Sequence, residues 1–161
     1  MLDKICSDDP LTHLSPPPLS TRMKRSPLRR DYRVLIADDD RGFRETLEII
    51  LEPHFLILSV ECAEQAIEVV EHDPIDLVLF DMHMHELTGL EALVLVKQLR
   101  AELPCILLTA DFTETLKRQA LAAQAHAVLK KPVARRDLIV QVGTALCSVY
   151  DDPELAEWLA C

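Results

Sequence analysis

Aromatic residues and long apolar runs are scarce in this chain of 161 residues. Only 4% of the residues are aromatic, so a core must be built mainly from Leu, Ile, Val and Ala. No stretch approaches the roughly 20 consecutive apolar residues that a membrane helix needs. Residues 1–30 lack the apolar segment of a secretory signal. The sequence therefore argues against transmembrane and secreted proteins, and its length favours one domain with tails.

Paired cysteine motifs are also absent. The five cysteines have no CxxC spacing, and their odd number does not suit a set of internal disulfides. They are Cys6, Cys62, Cys105, Cys147 and Cys161. This pattern favours reduced thiols in a cytoplasmic protein over a disulfide framework or a zinc site.

Positive charge is scarce outside the N-terminal segment. The formal net charge of the chain is −10, yet residues 1–33 carry a balance of +3, which leaves −13 for residues 34–161. Because residues 34–161 are so acidic, they should repel the phosphate backbone of a nucleic acid. Direct binding to nucleic acid is therefore not expected.

Residues 1–31 are predicted to be a proline-rich, basic N-terminal tail. Three prolines, Pro16 to Pro18, disfavour helix, and a basic cluster surrounds Ser26 and Pro27. The tail is interpreted either as a disordered segment or as an electrostatic arm for an acidic partner. Met23 offers an alternative start, in which case residues 1–22 would not be translated.

From residue 33 onward, short apolar runs alternate with segments of helical periodicity. Five strands are predicted near residues 34–37, 55–60, 75–80, 104–108 and 127–129. Five helices are predicted near residues 43–51, 63–71, 90–101, 113–123 and 135–146. This alternation is typical of a doubly wound α/β fold with a parallel sheet. Residues 149–161 are predicted as a short C-terminal tail, with a helical turn or two that places Leu155, Trp158 and Leu159 inward.

Polar residues follow four of the five predicted strands. The first strand ends in three aspartates, Asp38 to Asp40, and the others end at Asp81, Thr109 and Lys131. Because ligands bind at the carboxyl edge of an open parallel sheet, these side chains are expected to lie together. Any one of them alone has an ordinary explanation, such as capping a helix.

Carboxylates gathered at one edge repel each other unless a cation binds among them. Oxygen ligands without thiolates favour Mg²⁺. A lysine and a threonine at the same edge could hold the oxygens of a phosphoryl group, and one aspartate would remain as the nucleophile. The sequence therefore predicts phosphoryl chemistry on an aspartate.

Taken in order, these segments resemble the receiver domain of two-component response regulators. The resemblance covers roughly residues 32–148 and rests on the stretches 34–40, 76–85, 106–110 and 129–132, together with Gly89. It implies a flavodoxin-like fold with five helices around a five-stranded parallel sheet in the order 2-1-3-4-5.

The resemblance also implies a role for each residue of the site. Asp81 would be the phosphoacceptor, Thr109 would turn its hydroxyl to the phosphoryl group, and Lys131 would pair with a phosphoryl oxygen. The peptide bond from Lys131 to Pro132 is expected to be cis.

The implied cofactor is Mg²⁺. Its ligands would be Asp38, Asp39, Asp81 and the main-chain carbonyl of His83. The implied donor is a phosphohistidine on a sensor histidine kinase or a phosphotransfer protein. The domain would catalyse its own phosphorylation and dephosphorylation without being a turnover enzyme.

Three positions depart from the family pattern. His85 replaces a proline in the loop after the phosphoacceptor, which predicts a more mobile loop. Val128 replaces an aromatic residue, so a ring-based readout of the switch is not expected. Gln124 replaces a glycine before the last strand. A separate hypothesis is that His83 and Asp111 set the lifetime of the phosphoryl group.

Three functions are consistent with this pattern. About fifteen residues follow Leu146, which is too few for a folded output domain, so the leading interpretation is a stand-alone receiver that alters binding to a separate, unknown partner. The second is a phosphorylation-independent docking module, which Val128 and His85 support weakly. The third is a metal-dependent phosphatase with Asp81 as nucleophile. Such enzymes have a second acid two residues after the nucleophile, and His83 occupies that position here.

Side-chain metal ligation by His83 or His85 is disfavoured beside hard oxygen ligands.

Overall fold

The computed structural model describes residues 30–161, so the predictions for residues 1–29 lie outside the described part. Five strands alternate with helices along it. The strands are β1 (Arg33–Ala37), β2 (Leu56–Val60), β3 (Leu77–Asp81), β4 (Cys105–Thr109) and β5 (Ala127–Lys130). The helices are α1 (Arg41–Leu51), α2 (Ala63–His72), α3 (Gly89–Leu99), α4 (Glu114–Ala122), α5 (Arg135–Val149) and α6 (Pro153–Ala160).

All five strands belong to one parallel sheet in the order β2-β1-β3-β4-β5. Every residue of β3 and β4 is buried. This agrees with their continuous apolar sequence, since a central parallel strand is covered by helices on both faces. The flavodoxin-like architecture and the predicted strand order are confirmed. Residues 30–161 contain six helices rather than five, because the C-terminal segment forms one of its own.

The sheet separates two apolar clusters, because successive side chains of a strand point to opposite faces. On one side Leu35, Val78, Phe80 and Leu107 pack against α2 and α3. On the other side lies a second cluster that also includes residues of α1, α5 and α6. Both clusters are dominated by aliphatic side chains, as the low aromatic content predicts.

Helix α6 begins with a capped turn and packs onto the body. The carboxylate of Asp152 accepts from the main-chain N–H groups of Glu154 and Leu155, and Pro153 stands at the first helical position. Leu155 is fully buried. The ring of Trp158 lies 5.1 Å from that of His54 and 5.9 Å from that of Phe55. The single tryptophan is therefore half-buried against the end of α1.

A polar and aromatic cluster fastens the start of α6 at the edge of the sheet where β1 begins. The Tyr32 hydroxyl donates to Asp152 at 2.5 Å, and Arg30 forms an ion pair with Asp76 at 3.0 Å. The Arg30 guanidinium also lies 4.2 Å from the ring centre of Tyr150. Burial and a hydrogen bond to Asp76 raise the pKa of Tyr150 to about 12. Arg30, which the sequence assigned to the tail, thus contacts the body.

None of the helices in residues 30–161 has both the length and the apolar character that crossing a membrane requires.

Candidate functional site

The carboxyl edge of the sheet brings together the residues predicted for phosphoryl chemistry. Asp38 directly follows β1, Asp81 ends β3 and Thr109 ends β4. Asp38 and Thr109 are fully buried, and Asp81 is 4% exposed. Lys131 follows β5, and its main-chain N–H donates to the carbonyl of Thr109 at 2.7 Å. The parallel register fixes this arrangement, because it aligns the ends of neighbouring strands.

The ammonium group of Lys131 joins two of the carboxylates. Its Nζ lies 2.8 Å from Asp38 Oδ2 and 2.9 Å from Asp81 Oδ1. It also lies 4.0 Å from the ring centre of Phe43, at the start of α1, which adds a cation–π contact. The side chain of Lys131 is only 17% exposed. Its charge is therefore held close to both aspartates.

Burial is the main influence on the phosphoacceptor candidate. It raises the pKa of Asp81, and the nearby charge of Asp38 raises it further. Hydrogen bonds from Lys131 and from the main-chain N–H of His83 act in the opposite direction. For Lys131, burial opposes the charged form, but the hydrogen bonds to both aspartates outweigh it and raise the pKa. Lys131 is therefore a persistent cation at neutral pH.

Three carboxylates at this edge are close enough to bind one cation. Asp38, Asp39 and Asp81 each offer an oxygen, and these oxygens lie within 4.8 Å of one another. When ionised they carry three negative charges, of which Lys131 balances one. The remaining charge matches a divalent ion, and hard oxygen donors suit Mg²⁺. The residues present thus fit the implied cofactor.

The hydroxyl of Thr109 donates to no group in residues 30–161 and can donate to a ligand at this edge. Its Oγ1 accepts from the main-chain N–H of Asp111 at 3.1 Å, which leaves the hydroxyl proton available. Phosphoryl oxygens need donors of this kind. The peptide bond between Lys131 and Pro132 is cis, as the resemblance implies.

The two histidines of the loop after β3 contact carboxylates. His83 Nε2 lies 3.3 Å from Asp111 Oδ2, and His85 Nε2 lies 3.8 Å from Asp39 Oδ2. Neither belongs to the group of potential metal ligands found in residues 30–161. The pair of His83 and Asp111 links the chain after β3 to the chain after β4.

Arg44 is a residue of the site region that the sequence interpretation missed. Its guanidinium donates to the main-chain carbonyl of Asp38 at 2.6 Å and lies 3.6 Å from a carboxylate oxygen of Glu61. Arg44 is 9% exposed and shares the buried face of α1 with Leu47 and Leu51. That spacing was the available signal, since an arginine on an apolar helical face must find a buried acceptor.

Two of the departures from the family pattern have clear structural consequences. Gln124 takes the left-handed conformation, with φ of 71°, where a glycine would be unstrained. Val128 is half-buried and packs against the cluster that contains Leu107. A small apolar residue therefore occupies the position at which the family pattern has an aromatic side chain.

Comparison with known proteins decides the family. The model of the response regulator receiver domain matches residues 34–143. The chain belongs to this family. The match confirms the family recognised from the strand ends. Receiver domains are signalling domains rather than turnover enzymes. Helix α6 lies beyond the matched residues.

Curated relatives include larger proteins. The sensory/regulatory protein RpfC of Xanthomonas campestris is 33% identical over 115 residues, which cover 68% of this chain and 16% of RpfC. The response regulator MprA of Mycolicibacterium vanbaalenii is 33% identical over 128 residues, which cover 78% of this chain and 54% of MprA. The receiver thus spans a small part of RpfC and about half of MprA.

Solved structures support the same fold. A CheY-like response regulator receiver domain protein from Methanospirillum hungatei superposes with a TM-score of 0.71 at 28% identity, and covers 74% of this chain and 96% of that one. A receiver domain of an HD domain-containing protein from Pseudomonas fluorescens gives a TM-score of 0.72 at 23% identity, and covers 76% of this chain and all of that one.

Proposed function

We propose that this receiver accepts a phosphoryl group on Asp81 with Mg²⁺ and thereby alters its binding to a partner. The donor would be a phosphohistidine on a sensor histidine kinase or a phosphotransfer protein. The observation that carries the proposal is the contact of Lys131 with both Asp38 and Asp81, at 2.8 and 2.9 Å, beside the three clustered carboxylates. A cation and a set of metal ligands thus flank one buried nucleophile.

The proposed reaction is a phosphoryl transfer in which the residues of this chain position and neutralise charge. A carboxylate oxygen of Asp81 forms a bond to phosphorus while the phosphorus–nitrogen bond of phosphohistidine breaks and the imidazole leaves. Lys131 pairs with one phosphoryl oxygen, and the Thr109 hydroxyl donates to another. Bound Mg²⁺, held by Asp38, Asp39, Asp81 and the carbonyl of His83, would offset the negative charge of the phosphoryl oxygens.

The proposed route of the signal begins at Thr109. Its carbonyl accepts from the N–H of Lys131, so β4 and the chain after β5 are coupled directly. A shift of Thr109 toward the phosphoryl group would therefore be felt at β5, where Val128 lies. The proposed output surface is the face formed by α4, β5 and α5, and packing of Val128 rather than rotation of a ring would report the change.

The proposal is tested by intact-mass spectrometry of the full chain incubated with acetyl phosphate and Mg²⁺. The expected result is a gain of one phosphoryl group that is lost when EDTA removes the metal. Both requirements follow from three carboxylates that repel a phosphate donor until a cation neutralises them. No gain with Mg²⁺ would favour the phosphorylation-independent docking module instead.

The pair of His83 and Asp111 is expected to prolong the lifetime of the phosphorylated state. It links the ends of β3 and β4 beside Asp81 and so restricts the approach of water. Because the two side chains are 57% and 81% exposed, replacing both by alanine should shorten the half-life by only about threefold. Loss of the phosphoryl group is followed by intact mass after the donor is removed.

A second double variant controls for the loss of one histidine and one acid. Glu71 and His72 are exposed residues at the end of α2, and replacing both by alanine should leave the half-life unchanged. Equal half-lives for the wild type and the variant lacking His83 and Asp111 would exclude a role for this pair.

A further inference from the structure

The positive charge of residues 34–161 is concentrated in one segment. Residues 115–136, from α4 to the start of α5, contain six basic and no acidic side chains, whereas residues 137–161 contain five acidic and no basic ones. Among the basic residues, Lys131 belongs to the phosphorylation site. Arg135 and Arg136 are exposed at the start of α5, and neither forms an ion pair with another residue of the described part.

These two arginines border a groove of about 670 Å³ between α5 and the end of α6. Four apolar side chains form its floor. They are Ile139, Val140, Trp158 and Leu159. Val140 is 41% exposed, although it is aliphatic. This α5–α6 groove therefore combines an apolar floor with a basic border.

The groove exists because α6 packs against α5. Gly143 leaves room for the side chain of Leu159. A Cβ at position 143 would collide with that side chain. His54 lines the groove as well, and its Nδ1 is buried without a hydrogen-bond partner among residues 30–161. Helix α6, which forms one wall of the groove, lies outside the residues matched by the family model, whereas the start of α5 lies within them.

We propose that the α5–α6 groove binds an acidic amphipathic helix of a partner protein. Leucine-like side chains of that helix would cover the apolar floor, and its carboxylates would pair with Arg135 and Arg136. The proposal concerns a surface distinct from the phosphoacceptor and does not depend on the phosphorylation of Asp81.

The chemistry of the groove selects a helix over an extended strand. Both walls are helices, so the groove offers no strand edge. An extended peptide would find no continuous row of main-chain partners there, whereas a helix brings its own hydrogen bonds complete. An acidic helix is favoured because the bordering arginines form no ion pair with a carboxylate in residues 30–161.

The positive charge and the apolar floor of the groove also argue against residues 1–33 and against nucleic acid as its ligand. Residues 1–33 of this chain carry a net positive charge and would be repelled by the bordering arginines. A nucleic-acid backbone is charged along its length and has no apolar face that would cover Ile139, Val140 and Trp158. An acidic segment with an apolar face satisfies both halves of the groove.

The experiment uses two synthetic helical peptides of about 18 residues, long enough to form a helix. Both carry leucine at the spacing i, i+3, i+4 and i+7; one has glutamate and the other lysine at its polar positions. Trp158 is the only tryptophan of the chain and lines the groove, so its emission reports occupancy. With the unphosphorylated full chain, the glutamate peptide should shift the emission saturably and bind about tenfold more tightly than the lysine peptide.

Two charge-reversal variants locate the binding. Arg135→Glu with Arg136→Glu should weaken binding of the glutamate peptide about tenfold. Lys117→Glu with Arg118→Glu makes the same change of charge on exposed residues of α4, outside the groove, and should weaken it by less than about threefold. Circular dichroism establishes that both variants are folded.

Three results would overturn the proposal. One is the absence of any emission shift up to about 1 mM glutamate peptide, beyond which binding would be too weak to be specific. Another is equal weakening by the two reversals, which would indicate attraction to net charge alone. The third is a shift that appears with protein concentration and accompanies dimer formation in light scattering, which would make a second copy of the chain the occupant.

Discussion

Replacing Asp81 by asparagine is expected to abolish phosphoryl acceptance from acetyl phosphate. An amide lacks the anionic oxygen that attacks phosphorus, whereas its size and shape are nearly those of the carboxylate. The phosphorylated fraction measured by intact mass should fall by at least about a hundredfold, because a nucleophile and not a mere contact is removed. The buried position of Asp81, at 4% exposure, leaves little room for a neighbouring group to take its place.

Asp40→Asn is the matched control for this variant. Asp40 belongs to the same row of aspartates, but its carboxylate accepts from the N–H of Phe43 and caps α1. Asparagine caps helices about as well as aspartate, so this variant should be phosphorylated like the wild type. A phosphoryl group on Asp81→Asn at normal yield would place the acceptor elsewhere, and peptide mapping would then find it.

Replacing Gly89 by alanine is expected to destabilise the fold and displace the start of α3 beside Asp81. A Cβ at this position would lie 2.9 Å from the carbonyl carbon of Asp81, closer still to its oxygen, and 3.0 Å from a methyl group of Leu107. Since β3 is buried and hydrogen-bonded on both sides, the start of α3 and not the strand must move. Overpacking of this kind should lower the free energy of unfolding by about 2 kcal/mol, measured by urea denaturation.

Gly42→Ala is a control for which the expected change in the free energy of unfolding has the opposite sign. Gly42 lies in α1, and a Cβ there would meet only a carboxylate oxygen of Asp40 at 3.5 Å, an ordinary contact. Alanine in place of this helical glycine should raise the free energy of unfolding by about 0.5 kcal/mol. If Gly89→Ala proved as stable as Gly42→Ala, close packing of the start of α3 against Asp81 would be disproved. Phosphorylation of both variants shows whether displacement of the start of α3 also disturbs the site.

The cluster of polar side chains at the carboxyl edge could be predicted from the sequence because each member stands at the end of an apolar run. Apolar runs of four or five residues mark the strands, and parallel pairing forces their ends to one edge. Asp81, Thr109 and Lys131 therefore needed no knowledge of distances to be grouped. The order of the segments along the chain then indicated the receiver family.

Contacts within the site could not be predicted in the same way. That Lys131 reaches Asp38 as well as Asp81 depends on the lateral spacing of β1, β3 and β5 and on the path of the chain after β5. The hydrogen bond from Arg44 to the Asp38 carbonyl depends on how α1 packs against β1. Such geometry results from many small packing interactions, which no local pattern encodes.

The C-terminal helix was likewise predicted from the sequence only in part. The spacing of Leu155, Trp158 and Leu159 predicted a helical turn with an apolar face, and the structure contains that helix. What the face contacts was open, because an apolar stripe specifies burial but not the surface that buries it.

The sequence by itself determined the order of the elements, the parallel sheet and the chemical set at its carboxyl edge, because periodicity and strand ends are local properties of the chain. Only the tertiary structure decided that Lys131 bridges two carboxylates, that Gly89 lies against the Asp81 carbonyl, and that α5 and α6 enclose an apolar groove with a basic border. These features join residues far apart in the chain, and their positions follow from the simultaneous packing of both faces of the sheet.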